Sequence, residues 1–226
     1  MAYYLDFVFC VDATGSMASC LEGTKDFLKT FPEKILTKYE CCDKTVDKMR
    51  IKVIVFRDFA INGAEALQET KFFEMPEEKE EYIAFLDGIV AKGESPLHGA
   101  NALEAIACAI KSDWTTAKDA WRRHIVCVFT DTYAYPLQKR AKCPGYPEGM
   151  PADLAELGSW WEGTAMDFDG AFYKYGGRLI AFAPNAEPWV ELTVWNRYWH
   201  TGSRAVEGLN EFDLTTVLDI LVGDIG

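Results

Sequence analysis

Short apolar runs alternate with helix-period segments from one end of the chain to the other. Leu5-Asp6-Phe7-Val8-Phe9-Cys10-Val11 is a nearly unbroken apolar run that stops at Asp12, the pattern of a strand buried on both faces of a parallel sheet. Met17, Cys20, Leu21, Thr24, Phe27, Leu28 and Phe31 then recur at three- and four-residue steps. They predict an amphipathic helix, which Pro32 is expected to end or kink. Met49 to Phe56 predicts a second strand with Arg57-Asp58 at its end, and Phe72 to Met75 a short edge strand. Pro76, Glu77, Glu78, Glu80 and Glu81 read as a first helical turn, where proline is tolerated and carboxylates meet the positive end of the dipole. Tyr82, Phe85, Leu86 and Ile89 are the apolar stripe of that helix.

The second half continues the alternation. A helix is predicted over 97–112, then a buried strand from His124 to Thr130 that ends at Asp131, then a long loop over 133–152. A helix over 152–165, a strand from Arg178 to Ala183, a last strand from Arg197 to Thr201 and a C-terminal helix carrying Leu214, Val217, Leu218 and Leu221 complete the order. Strands and helices in this order predict a layered α/β fold with a mostly parallel sheet. There is no internal repeat and no linker, so residues 1–226 read as a single domain, long enough to bury a sizeable core.

Composition narrows the class of partner. Lys and Arg number 23 against 35 Asp and Glu, a net charge of −12. That excess argues against general binding to a phosphate backbone, so no nucleic-acid partner is expected. No stretch approaches the roughly 18 apolar residues of a membrane helix, and the N-terminus lacks the basic start and apolar run of a secretory signal. Seven cysteines, an odd number without a Cys-x-x-Cys pair, suit a reducing compartment. A soluble, cytoplasmic protein is the expectation.

Candidate chemistry concentrates in Asp12-Ala13-Thr14-Gly15-Ser16-Met17, directly after a buried strand and before a helix. A carboxylate and two hydroxyls at alternate positions of one turn can supply part of the oxygen shell of a hard cation such as Mg²⁺. The competing reading is a helix N-cap, for which Asp, Thr and Ser are all suited. A second strand that also ends on a carboxylate, Thr130-Asp131, shifts the balance. Ligands of open α/β sheets sit beyond the carboxyl ends of strands where the strand order reverses. If these two strands flank that point, Asp12 and Asp131 face one crevice and repel unless a cation lies between them.

On these residues the chain resembles the von Willebrand factor type A domain, over nearly its whole length. The opening strand with Asp12, Thr14 and Ser16 is similar to the first segment of that family's metal-ion-dependent adhesion site, and Asp131 to its last. Phe56-Arg57-Asp58-Phe59, Gly93-Glu94-Ser95-Pro96 and Trp114 after a helix resemble a subgroup with a Tyr-Arg-Asp stretch and a Gly-Gly-Gly-Asp-x-Pro loop, some of whose members are linked to kinases and other signalling proteins. The resemblance implies a three-layer, Rossmann-like fold and a bound Mg²⁺, Mn²⁺ or Ca²⁺. It implies no catalysis but a protein partner whose Asp or Glu completes the metal shell, as in a component of a multiprotein assembly or signalling system. The middle segment departs from the family: where many members place a threonine, this chain has Glu94 with Ser95 beside it, and either is a candidate ligand.

Further residues are weighed on their own chemistry. His98 lies near the proposed site and is a candidate for its rim. Lys139, Arg140 and Lys142, with Tyr133, Tyr135 and Tyr146, are candidates for a cationic rim on the loop after Asp131. Asp58 reads as an ion pair or turn cap rather than a metal ligand. Of adjacent Trp160 and Trp161, at most one is expected to face fully inward. Two alternatives stay open: a metal-dependent hydrolase or phosphotransferase using Asp12 as nucleophile, and a degenerate domain that binds no metal. The first lacks the second aspartate, two residues on, of haloacid-dehalogenase-like phosphatases, and the chain has neither a P-loop nor a Gly-x-Ser-x-Gly elbow.

Overall fold

The apolar run at the N-terminus forms β1 (Ala2–Asp12), the centre of a mostly parallel sheet. The structure, a computed structural model, describes residues 2–93, 99–117, 119–164 and 177–203. β2 (Lys48–Phe56) pairs parallel with one side of β1, and β6 (Ala120–Phe129) pairs parallel with the other. β8 (Gly177–Pro184) and β9 (Tyr198–Ser203) continue in parallel beyond β6. Beyond β2 lie two short antiparallel strands, β3 (Leu67–Glu69) and β4 (Phe73–Met75). β5 (Gly99–Ala100) and β7 (Tyr133–Ala134) form a separate parallel pair.

Alternation along each central strand builds two cores, one on each face. Phe7, Phe9 and Val11 of β1, with Ile51 and Val53 of β2 and Ile125 and Phe129 of β6, pack on the face that holds α1 (Leu21–Glu40) and α3 (Lys79–Asp87). Val8, Cys10, Ile54, Val126 and Val128 point the other way, toward α4 (Ala102–Ile110) and α5 (Leu154–Trp161). The result is the three-layer, Rossmann-like α/β arrangement expected.

Several boundaries differ from the sequence reading for local reasons. Pro32 neither ends nor interrupts α1, which continues to Glu40. Having no N–H, it leaves the Leu28 carbonyl without its helical donor, and the buried Tyr82 hydroxyl of α3 donates to that oxygen at 2.9 Å. Pro76 lies in a turn before α3 rather than in its first turn, and the Glu78 side chain folds back to accept the Glu74 N–H at 2.7 Å. The helix predicted over 97–112 spans Ala102–Ile110, because Gly99 and Ala100 pair with Tyr133 and Ala134 instead. Trp160 and Trp161 are both buried. The first lies under the Lys111 ammonium, and the second stacks on Trp195 while its indole N–H donates to Asn196 O. The C-terminal helix expected around Leu214 lies outside the described residues. Among the described residues, no helix is long and apolar enough to cross a membrane.

Candidate functional site

From β1 the chain leads to β2 on one side, and later to β6 on the other. The order therefore reverses between β1 and β6, whose carboxyl ends carry Asp12 and Thr130-Asp131. Asp12 is fully buried, and both its oxygens are occupied. Thr14 donates to Oδ1 from its backbone N–H at 2.8 Å and from its hydroxyl at 2.6 Å. The buried Thr130 hydroxyl donates to Oδ2 at 2.6 Å. Thr14 Oγ1 lies 3.1 Å from Ser16 Oγ, and Ser16 donates to Asp131 Oδ1 at 2.9 Å. Asp12, Thr14, Ser16 and Asp131 thus form a continuous arc of oxygens across the switch point.

Counting protons shows what the arc lacks. Each hydroxyl has one proton. With both carboxylates ionised, the Thr14 proton goes to Asp12 and the Ser16 proton to Asp131. The 3.1 Å contact between the two hydroxyl oxygens then contains no proton, and lone pairs face each other. Neighbouring ligands of an octahedral Mg²⁺ at 2.0–2.1 Å lie about 2.9 Å apart, close to the Thr14–Ser16 and Ser16–Asp131 spacings. Hard oxygens at this spacing fit a hard cation, although no group of three or more His, Cys, Asp or Glu able to hold a metal occurs among the described residues.

The electrostatics point the same way. Burial pushes the Asp12 carboxyl up to about 6, and the Asp131 charge adds to the rise against the lowering effect of the threonine hydrogen bonds. Asp131 is also raised, chiefly by burial. Among the described residues Asp12 accepts hydrogen bonds from neutral groups alone. The other buried carboxylate of β1, Asp6, is held by both Nε and a terminal nitrogen of Arg50, at 2.9 and 2.7 Å.

Three sets of contacts that the sequence did not reveal hold the arc in place. The buried Arg57 donates to Ala13 O, Glu65 O and Val90 O at 3.1, 2.9 and 3.0 Å, tying three loops to the end of β2. Gly15 N–H donates to Gly93 O at 2.8 Å. Gly93 has φ +81°, and a Cβ there would come within 2.8 Å of the Asn62 amide, so only glycine suits this turn. Thr130 and Thr132 brace Asp12 from the segment just after β6, and the buried Trp189 indole donates to Thr132 O at 3.0 Å. Their one sequence signal is the second alternating hydroxyl pair, Thr130-x-Thr132, around Asp131.

The remaining candidates separate. Glu94, Ser95 and His98 lie outside the described residues. Tyr133 and Tyr135 meet edge to face at 5.7 Å, over Gly99. Lys139 and Arg140 both stack on the Tyr135 ring, and Arg140 pairs with Asp58 through two 2.8 Å bonds. Asp58 also caps α2 (Phe59–Asn62) by accepting the Ala60 N–H, the structural role expected of it.

No family model matches the chain, and neither does any curated protein. Among solved structures it is similar to the pilus adhesin SpaC from Lactobacillus rhamnosus GG. In the open conformation of that protein the TM-score is 0.53 at 12% identity, over 99% of this chain and 30% of the adhesin. It is also similar to proximal thread matrix protein 1 from the mussel byssus, with TM-score 0.51 at 15% identity, over 97% of this chain and 48% of that one. The chain therefore spans about a third and about half of these proteins. At such identities the likeness concerns the fold alone.

Proposed function

We propose that the chain is a von Willebrand factor A-like domain that binds a divalent cation, Mg²⁺ or a similar ion, through Asp12, Thr14, Ser16 and Asp131. The carboxylate of an Asp or Glu from a protein partner would complete the shell. The observation that carries this reading is the arc of four side-chain oxygens at the switch point, which has one contact more than its hydroxyl protons can fill when both carboxylates are ionised. Such an ion supplies positive charge that lets an acidic crevice accept an acidic group. The chain's own residues hold and orient it: Thr130 and Arg57 keep Asp12 and its turn in place. Asp12 is poorly suited to nucleophilic attack, being fully buried with both oxygens hydrogen-bonded, which favours binding over turnover. Seven free cysteines favour a reducing, cytoplasmic setting.

Thermal unfolding in Mg²⁺ and in EDTA tests the reading. An ion at a hundred times its dissociation constant adds about 2.7 kcal/mol to native stability. The melting temperature is expected to rise with Mg²⁺ in the wild type and to stay put in Asp12→Asn and Asp131→Ala. A wild-type midpoint indifferent to millimolar Mg²⁺, Mn²⁺ and Ca²⁺ would sink the proposal in favour of a degenerate domain.

A further inference from the structure

Immediately after Asp131 the chain passes a cavity of about 330 Å³ that Tyr133 helps to line. This is the low end of the roughly 300–1,000 Å³ usual for small-ligand sites, the scale of one or two side chains. Leu103 of α4, Leu137 of the 133–152 loop and Leu154 of α5 make its wall apolar. Asp153, Glu187 and Glu191 bring three exposed carboxylates to it. Asp153 uses one oxygen to cap α5, accepting the Glu156 N–H at 2.9 Å. Among the described residues none of the three pairs with a lysine or arginine. The nearby loop cations are engaged elsewhere, Lys139 on the Tyr135 ring and Arg140 on Asp58. The sequence suggested a cationic rim beyond Asp131. At this cavity the charge on offer is negative.

We propose that the cavity is a docking subsite for a basic side chain, Lys or Arg, flanked by an aliphatic residue on a peptide segment of a protein partner. The charge complementarity chooses this occupant. The methylene stem and aliphatic neighbour cover the leucines while the cationic head meets the carboxylates at the mouth. An acidic or purely aliphatic segment would leave those carboxylates repelled or unanswered. Because Tyr133 lies two residues from Asp131, one partner segment can present an acidic residue to the metal and a basic one to the cavity. That joint engagement rests on the metal-mediated reading above, whereas the cavity's own preference does not.

Backbone-amide NMR titration of the EDTA-treated protein tests the subsite without the metal. The probes are acetyl-Leu-Arg-Leu-amide and acetyl-Leu-Glu-Leu-amide. The arginine peptide is expected to shift the signals of Leu137, Leu154 and Glu191, and the glutamate peptide to leave them in place. In Glu187→Gln/Glu191→Gln the affinity for the arginine peptide should fall about fivefold, the scale of two partly exposed ion pairs. The folded state of that variant is checked by its unchanged amide spectrum away from the cavity. An equal response to both peptides, no response to either, or an unaltered affinity in the double variant overturns the proposal. Failure of the Mg²⁺ stabilisation leaves a positive peptide result intact. A Mg²⁺ shift without peptide discrimination removes the cavity proposal alone.

Discussion

Two buried carboxylates on one strand illustrate the logic of the site. Asp6 has Arg50 and is held as an ion pair. Asp12 has hydroxyls and an N–H, and burial lifts it from 3.8 to about 6. With metal chelated, the folded chain therefore keeps a proton over a pH range in which the unfolded chain has lost it. Stability from this group is full below pH 3.8 and is lost as pH rises to about 6, a fall of about 3 kcal/mol. Asp131, also raised, acts with the same sign. Urea denaturation at stepped pH in EDTA should show the fall, and excess Mg²⁺ should flatten it by displacing the proton. Asp12→Asn should be less sensitive to pH across this window. A variant as steep as wild type would assign the titration elsewhere. The strand-end placement of Asp12, Thr14, Ser16 and Asp131 was legible because local motifs set it. Arg57, Gly93 and Thr130 stood in motifs too, but their partners Ala13, Gly15 and Asp12 were not legible, because each is distant in sequence.

At the scale of elements, the joint between α1 and α3 carries a prediction. Pro32 has no N–H for Leu28 O, and Tyr82 supplies the missing donor from the neighbouring helix. Tyr82→Phe should cost about 1–3 kcal/mol, the penalty of a buried carbonyl left without a partner. In a Pro32→Ala background the residue 32 N–H can take over, so the same Tyr82 substitution should cost less. A double-mutant cycle by urea denaturation reads the difference, and equal costs in both backgrounds would reject the compensation. The helical period was visible over Met17–Phe31, but its continuation past Pro32 was not. The proline rule describes a helix alone, and here another helix satisfies the orphaned group. Trp160 and Trp161 likewise depended on what covers them, since Trp195 closes over the second ring.

For the whole molecule, the sheet separates the end that carries the oxygen arc from the opposite end. At the carboxyl end of β1, β2 and β6 lie the oxygen arc, the Arg57 bonds and the Gly15–Gly93 contact. At the opposite end Tyr3 N–H donates to Asp47, and Asp6 binds Arg50 and the Thr115 N–H. Cation binding at the first end should slow amide exchange there more than at the second. Hydrogen exchange with and without Mg²⁺ should show added protection at Gly15 and Thr132 and little change at Tyr3 and Asp47. Uniform protection would indicate global stabilisation alone.

By itself the sequence determined the α/β order, the burial of the central strands on both faces and the two carboxylates at strand ends. Hydrophobic period and strand-end placement are local properties that survive without coordinates. Tertiary structure alone decided that β1 and β6 are neighbours, which brings Asp12 to Thr130 and Ser16 to Asp131 across more than a hundred residues. It also turned Lys139 and Arg140 onto Tyr135 and Asp58, and set three carboxylates around an apolar cavity. Those outcomes depend on which loops meet at the sheet's edge, and strand pairing, rather than spacing along the chain, settles that.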